Sequence, residues 1–285
     1  MSLLHLCRFQ SGTNVGVGLL EGDAIRDLSA VRATSLAGIL NSESPADTVS
    51  QLAADAPTHA LREVTILSPA DHQEIWAAGV TYLRSKTARM EESDFSANAY
   101  DRVYDAERPE IFFKSLAEKT VPNGDPVGIR KDGKWNVPEP ELALVTNAQG
   151  EIVGYTIGND MSSRDIEGEN LLYLPQAKVY QYSCALGPTI VIGPTEDEVR
   201  AWEIGIKIER NGAEMFAGQT SISQIKRSFD ELAEFLHRSQ DFPHGAILLT
   251  GTGVVPPDEF TLAPGDRISI HISGIGELVN DVVEV

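Results

Sequence analysis

The stretch Val137-Pro-Glu-Pro-Glu-Leu-Ala-Leu-Val145 places two carboxylates, Glu139 and Glu141, two residues apart at the start of an apolar run. In a strand, alternate side chains share a face, so the two carboxylates point the same way, roughly 7 Å apart. A second run, Ile152–Asp160, follows the turn "NAQGE" and ends in another carboxylate. With the hairpin turning at Ala148–Gln149, Glu139 is expected opposite Gly158 and Glu141 opposite Thr156. Asp160 then falls on the face of Glu139 and Glu141. Three carboxylates would converge near one end of a two-stranded ribbon. Such a cluster raises its own pKa values unless a cation relieves the repulsion. An all-oxygen set suits Mg²⁺, and also Mn²⁺ or Ca²⁺, better than zinc. The competing reading is a set of solvated surface charges.

The rest of the chain fits a strand-rich enzyme. Its 285 residues allow one large domain, or one large and one small. The 42% hydrophobic and 23% charged content is that of a globular chain. No apolar run approaches the roughly 20 residues needed to cross a bilayer. The opening "MSLLHLCRFQSG" lacks a basic leader and a long apolar segment, so no secretory signal is expected. A formal charge of −19 argues against nucleic-acid binding. The two cysteines, Cys7 and Cys184, are in no ligand spacing, and a reducing cytoplasm is expected.

Residues 1–68 read as a small N-terminal α/β unit. Short strand-like pieces are broken by glycines, and helices follow at "SLAGILNS" and "DTVSQLAADA", with Ser44 and Asp47 as candidate caps. Residues 69–285 read mostly as strands, including one hairpin at Asn211-Gly212. One helix is expected over "SISQIKRSFDELAEFLHRS", with Ile225, Phe229, Leu232 and Leu236 on its apolar stripe. The fold class is therefore α+β and β-rich, without a βαβ series. The polar segment from Tyr82 to Asp105 fits a lid or a surface helix.

Five ordered motifs, "PEPELALV", "GYTIGNDMSSRD", "LPQAKVY", "ALGPTIV" and "ILLTGTG", resemble the fumarylacetoacetate hydrolase family over roughly Ile75 to Val283. The resemblance implies a fumarylacetoacetate hydrolase-like mixed β-sandwich roll after a small N-terminal domain. It also implies Mg²⁺ on Glu139, Glu141 and Asp160, and that Lys178 and Lys114 reach the substrate. Lys178 is the expected base. Glu110 either assists proton handling or is structural. Arg164 is either a substrate contact or part of an internal salt bridge. Thr252 would help hold the substrate carboxylate, and Tyr82 and Arg84 would touch substrate if the lid closes. Trp135 is close enough in sequence to line the pocket.

One departure directs the choice of reaction. Hydrolases and decarboxylases of this family carry a water-activating histidine and glutamate where this chain has Ser85 and Ala88. "VYDAERPEIFFK" and "GENLLYLPQAK" resemble a branch that dehydrates 2-keto-3-deoxy sugar acids. The expected activity is thus that of a lyase of sugar acid catabolism, taking a pentose-derived acid to 2,5-dioxopentanoate. An acylpyruvate hydrolase, an oxaloacetate decarboxylase and a catalytically silent metal-binding protein are the alternatives. A homodimer or homotetramer is implied, with a small 2-keto acid as substrate.

Overall fold

The protein is described from a computed structural model, over residues 3–32, 34–82 and 103–285. Its strands are β1 (Leu4–Ser11), β2 (Asn14–Glu21), β3 (Ala24–Asp27), β4 (Thr58–Ala60), β5 (Thr65–Leu67), β6 (Glu74–Gly79), β7 (Glu110–Leu116), β8 (Val127–Ile129) and β9 (Asn136–Val137). They continue as β10 (Pro140–Thr146), β11 (Ile152–Asp160), β12 (Ser162–Ser163), β13 (Cys184–Ile192), β14 (Glu203–Arg210), β15 (Ala213–Ser221), β16 (Ala246–Leu249), β17 (Arg267–Ile272) and β18 (Gly276–Glu284).

The carboxylate hairpin lies in the middle of the larger sheet, whose order is β4-β3-β2-β1-β13-β11-β10-β16-β6-β7, with β5 also on β1. Every residue of β10 is buried, because both of its faces are covered. Leu142 and Leu144 join one core with the second sheet, β15-β14-β17-β18-β8. Ala143 and Val145 join another with the N-terminal helices Leu36–Leu40 and Pro45–Ala54. Each fully buried leucine contributes about 1.5–3 kcal/mol. The longer of these helices is capped by Ser44, whose side chain accepts the Asp47 N–H; Asp47 itself sits in the first turn. β1 pairs with β13, so the larger sheet runs through the boundary read at residue 68.

The β10–β11 register differs from expectation by two residues. Glu141 stands opposite Gly158, and Pro140 opposite Asn159. The turn is longer than a two-residue loop. Asn147 Oδ1 accepts the N–H groups of Gln149 and Glu151, Gly150 takes φ +82°, and a bulge lies between Val145 and Thr146. Because the side-chain period is two, a shift of two leaves every carboxylate on its expected face. The hairpin at Asn211-Gly212 has φ +53° and +78°, the pair of positive values a tight hairpin turn requires.

The helix expected over residues 221–239 is shorter, Phe229–His237. Ser228 accepts the Glu231 N–H and starts it there, while Ile222–Gln224 forms a separate 3₁₀ turn. Ile225, Phe229, Leu232 and Leu236 are all buried, so the apolar stripe is real although the helix does not span it.

Candidate metal centre

β10 and β11 bring their acidic ends together. The Asp160 N–H donates to the Glu139 carbonyl at 3.0 Å, which puts the two ligand-bearing residues opposite each other. Glu139, Glu141 and Asp160 are at most 2% exposed. One carboxylate oxygen from each lies within 4.8 Å of the other two. Pro140, as the first residue of β10, needs no N–H partner at that place.

Cations converge on the same point. Lys178 Nζ donates to Glu139 Oε2 at 2.8 Å and to Asp160 Oδ2 at 3.0 Å. Arg164 Nη1 donates to Glu139 Oε1 at 3.0 Å, and Lys114 forms an ion pair with Asp160 Oδ1. Lys178 ends the short helix Leu174–Lys178, with Phe112 beneath its ammonium at 5.8 Å from the ring centroid. Arg164 starts the helix Arg164–Glu169 and lies over the Trp135 ring at 5.8 Å. Three buried carboxylates therefore meet three buried cations. Removing one member of such a pair costs about 3–5 kcal/mol.

Glu141 is the exception. Among the described residues no lysine or arginine lies within ion-pair distance of it; its Oε2 accepts the Gly251 N–H at 2.6 Å. Burial pushes its carboxyl well above the usual range, and the charges of Asp160 and Glu139 push it further. Lys178 and the Gly251 N–H pull the other way.

The donor set fits a hard dication. Two oxygens on one Mg²⁺, each about 2.1 Å from it, lie about 3–4 Å apart, which the 4.8 Å spread accommodates with small side-chain adjustment. The site offers only carboxylates among its candidate ligands, and one of them carries a charge that the local cations leave poorly compensated.

The cleft holding this cluster is narrow, with about 20 Å³ of free space. Ala78, Gly79, Phe112, Arg164, Lys178 and the Gly251–Val255 loop line it with the carboxylates. Thr252 is on that wall, its hydroxyl donating to the Val254 carbonyl at 3.0 Å. Glu110 lines an adjoining cavity with Glu167, Arg108 and Val103. Its carboxylate also lies directly above Gly79, where a Cβ would come within 1.9 Å of Oε2. Glycine at position 79 is thus what lets Glu110 reach the cleft wall. Neither this glycine nor Gly251 stands out in the sequence, except as a small residue at the end of a strand.

Other expected site residues lie elsewhere. Tyr82 is 2% exposed and packs its ring against Gly253, behind the loop that carries Thr252, so it does not line the cleft. Lys114 does not line it either. Trp135 stays behind Arg164. Arg84, Ser85, Ala88 and nearly all of the expected lid are outside the described residues.

This fold and site define a class. Residues 74–283 match the family described as fumarylacetoacetate (FAA) hydrolase C-terminal, and the chain belongs to that family. Within it, the chain is 50% identical over 217 residues to a probable 2-keto-3-deoxyxylonate dehydratase of Haloferax volcanii, covering 76% of this chain and 74% of that one. It is 40% identical over 228 residues to the 2-dehydro-3-deoxy-D-arabinonate dehydratase of Saccharolobus solfataricus, covering 78% and 76%. A solved structure of 2-keto-3-deoxy-D-arabinonate dehydratase complexed with magnesium and 2,5-dioxopentanoate superposes with a TM-score of 0.81 at 30% identity. That match covers 100% of this chain and 99% of the other.

Proposed function

We propose that this protein is a magnesium-dependent hydro-lyase that dehydrates a 2-keto-3-deoxy pentonate, of arabinonate or xylonate origin, to 2,5-dioxopentanoate. The observation that carries the reading is the buried trio Glu139, Glu141 and Asp160 with Lys178 Nζ bonded to two of its members. The two dehydratase relatives and the magnesium- and product-bound neighbour support the substrate class.

Glu139, Glu141 and Asp160 would hold the magnesium; Mn²⁺ and Ca²⁺ meet the same oxygen chemistry. The ion, when bound, withdraws electron density from the substrate's keto oxygen and so acidifies the protons on carbon 3. Lys178 stands beside that centre as the base. As the neutral amine it accepts the proton from carbon 3. The electron pair released there forms the carbon 3–carbon 4 double bond as the carbon 4 hydroxyl leaves. Glu110, over Gly79, donates the proton that lets it depart as water. A carbon 5 proton is then lost and one is gained at carbon 3. The resulting enol takes up a proton at carbon 4 to give the terminal aldehyde. Thr252 and Arg164, on the cleft wall, hold the substrate carboxylate; the planar guanidinium of Arg164, with Nη1 on Glu139 Oε1, suits a carboxylate partner.

The chain is further proposed to act as a homodimer or homotetramer in the cytoplasm. Leu116, Val179 and Tyr182, large apolar side chains left 37–41% exposed around one cavity, support association. Cys7 and Cys184, buried free thiols, suit a reducing compartment. No described helix is long and apolar enough to cross a membrane.

The test is a coupled assay of 2-keto-3-deoxy acids derived from pentonates and hexonates, reading semialdehyde against pyruvate. The pentonate derivative should yield 2,5-dioxopentanoate. Pyruvate release, or no turnover of either acid by magnesium-loaded protein, would overturn the proposal.

A further inference from the structure

Lys114 belongs to the edge strand β7, which pairs with β6. Ile75 stands opposite Ser115 and Trp76 opposite Phe113, so Lys114 is the unpaired residue of a β-bulge. Bulges re-aim side chains, and they gather beside active sites for that reason. Here the bulged side chain is 0% exposed and runs inward. Its ammonium meets three acceptors: Asp160 Oδ1, the Met161 carbonyl at 3.0 Å and the Lys178 carbonyl at 2.5 Å.

An ammonium has three N–H donors and no acceptor. Two of those of Lys114 go to backbone carbonyls, its charge is paired with Asp160 Oδ1, and the residue does not line the carboxylate cleft. The three acceptors come from two different elements, the end of β11 and the end of the helix that carries Lys178. The bulge therefore inserts one cation that ties a carboxylate of the trio to the backbone of the expected base.

We propose that Lys114 is a positioning residue: it fixes the rotamer of Asp160 for metal binding and locks the Lys178 backbone to it, without touching substrate. This rests on reading the trio as a metal centre. It assigns Lys114 a different part from the substrate contact that the family resemblance implies.

The test uses the full chain, chelator-treated, with Lys114→Gln and Lys114→Met. Magnesium chloride alone is titrated calorimetrically, and kcat and KM are measured at saturating Mg²⁺. Lys114→Gln keeps an N–H donor pair for the two carbonyls, and its metal-free melting curve reports whether the fold survives. Both variants should bind Mg²⁺ about 10–100-fold more weakly, the cost typical of losing a group that orients a ligand. KM for the keto acid should stay within about twofold while kcat falls. Asp160→Asn should remove the effect, so that adding Lys114→Met to it weakens Mg²⁺ binding no further. Wild-type Mg²⁺ affinity in folded variants, with a raised KM, would overturn the proposal in favour of direct substrate contact. Loss of cooperative melting in both variants would also overturn it, in favour of a purely structural lysine. Failure of the wild-type chain to bind Mg²⁺ would sink the metal centre itself, and is thereby distinguishable.

Discussion

The N–H of Gly251 meets Glu141 Oε2 at 2.6 Å, across 110 positions of sequence. Gly251 does this from φ +85°, and a Cβ there would sit 2.3 Å from Thr81 Oγ1. One backbone dipole thus orients the carboxylate of the trio that no lysine or arginine among the described residues pairs. Glu141 is held in place but poorly neutralised.

That imbalance makes Glu141→Gln informative in two directions. Without metal, the amide removes a charge that burial and two carboxylates oppose, so the variant should be more stable than wild type by about 1–3 kcal/mol. With Mg²⁺ the order should reverse, since the wild type gains a ligand the variant lacks. Thermal melting with and without chelator reads both. A variant that melts lower than wild type when metal-free would contradict the assignment of strain to Glu141.

The pH dependence follows from the same residue. Its carboxyl is raised above the ordinary value of 4.5 in the folded chain. Between that value and its raised one, the folded state holds a proton that the unfolded state has lost. Stability of the metal-free protein should therefore fall as pH rises through this window. Magnesium requires the ionised form, so its affinity should rise over the same interval. The melting shift produced by Mg²⁺ should be small near pH 5 and large near pH 8. An equal shift at both would place the proton elsewhere.

Lys178→Met separates binding from chemistry. Turnover should fall by about 10²–10⁴-fold, the usual contribution of a general base. Mg²⁺ should still bind, because the methionine takes no ligand away. Retained turnover, measured as semialdehyde release, would remove Lys178 from the mechanism.

Gly79→Ala tests Glu110 without altering it. The new methyl would occupy the place of Glu110 Oε2, 1.9 Å away, and push that carboxylate from the cleft wall. A displacement of about 1 Å can cost about 10²-fold in rate. kcat should drop on this scale while calorimetric Mg²⁺ affinity is unchanged. Unaltered kcat would leave Glu110 a structural carboxylate.

The trio was legible in the sequence because strand parity survives errors of two. A turn at Ala148–Gln149 sets the register two residues off the observed one, yet Glu139, Glu141 and Asp160 keep one face. What parity cannot reveal is a bulge. Lys114 looks like any alternating strand residue in "EIFFKSL", and only the extra residue opposite Ile75 and Trp76 sends it to Asp160. Nor can an apolar stripe fix helix length: Ile225 is buried without being helical, because Ser228 caps the helix after it. Tyr82 reads as a pocket aromatic, but Gly253 provides a flat bed for its ring. Such close approaches depend on chain segments far apart in sequence.

The central claim is that these three carboxylates hold a magnesium ion on which dehydration depends. The most direct test measures 2,5-dioxopentanoate formed from 2-keto-3-deoxy-D-arabinonate by chelator-stripped protein, before and after Mg²⁺ is restored. The account predicts no product when stripped and full recovery on addition, with no recovery in a Glu139→Gln, Glu141→Gln, Asp160→Asn triple variant. Full turnover by the stripped protein would contradict it.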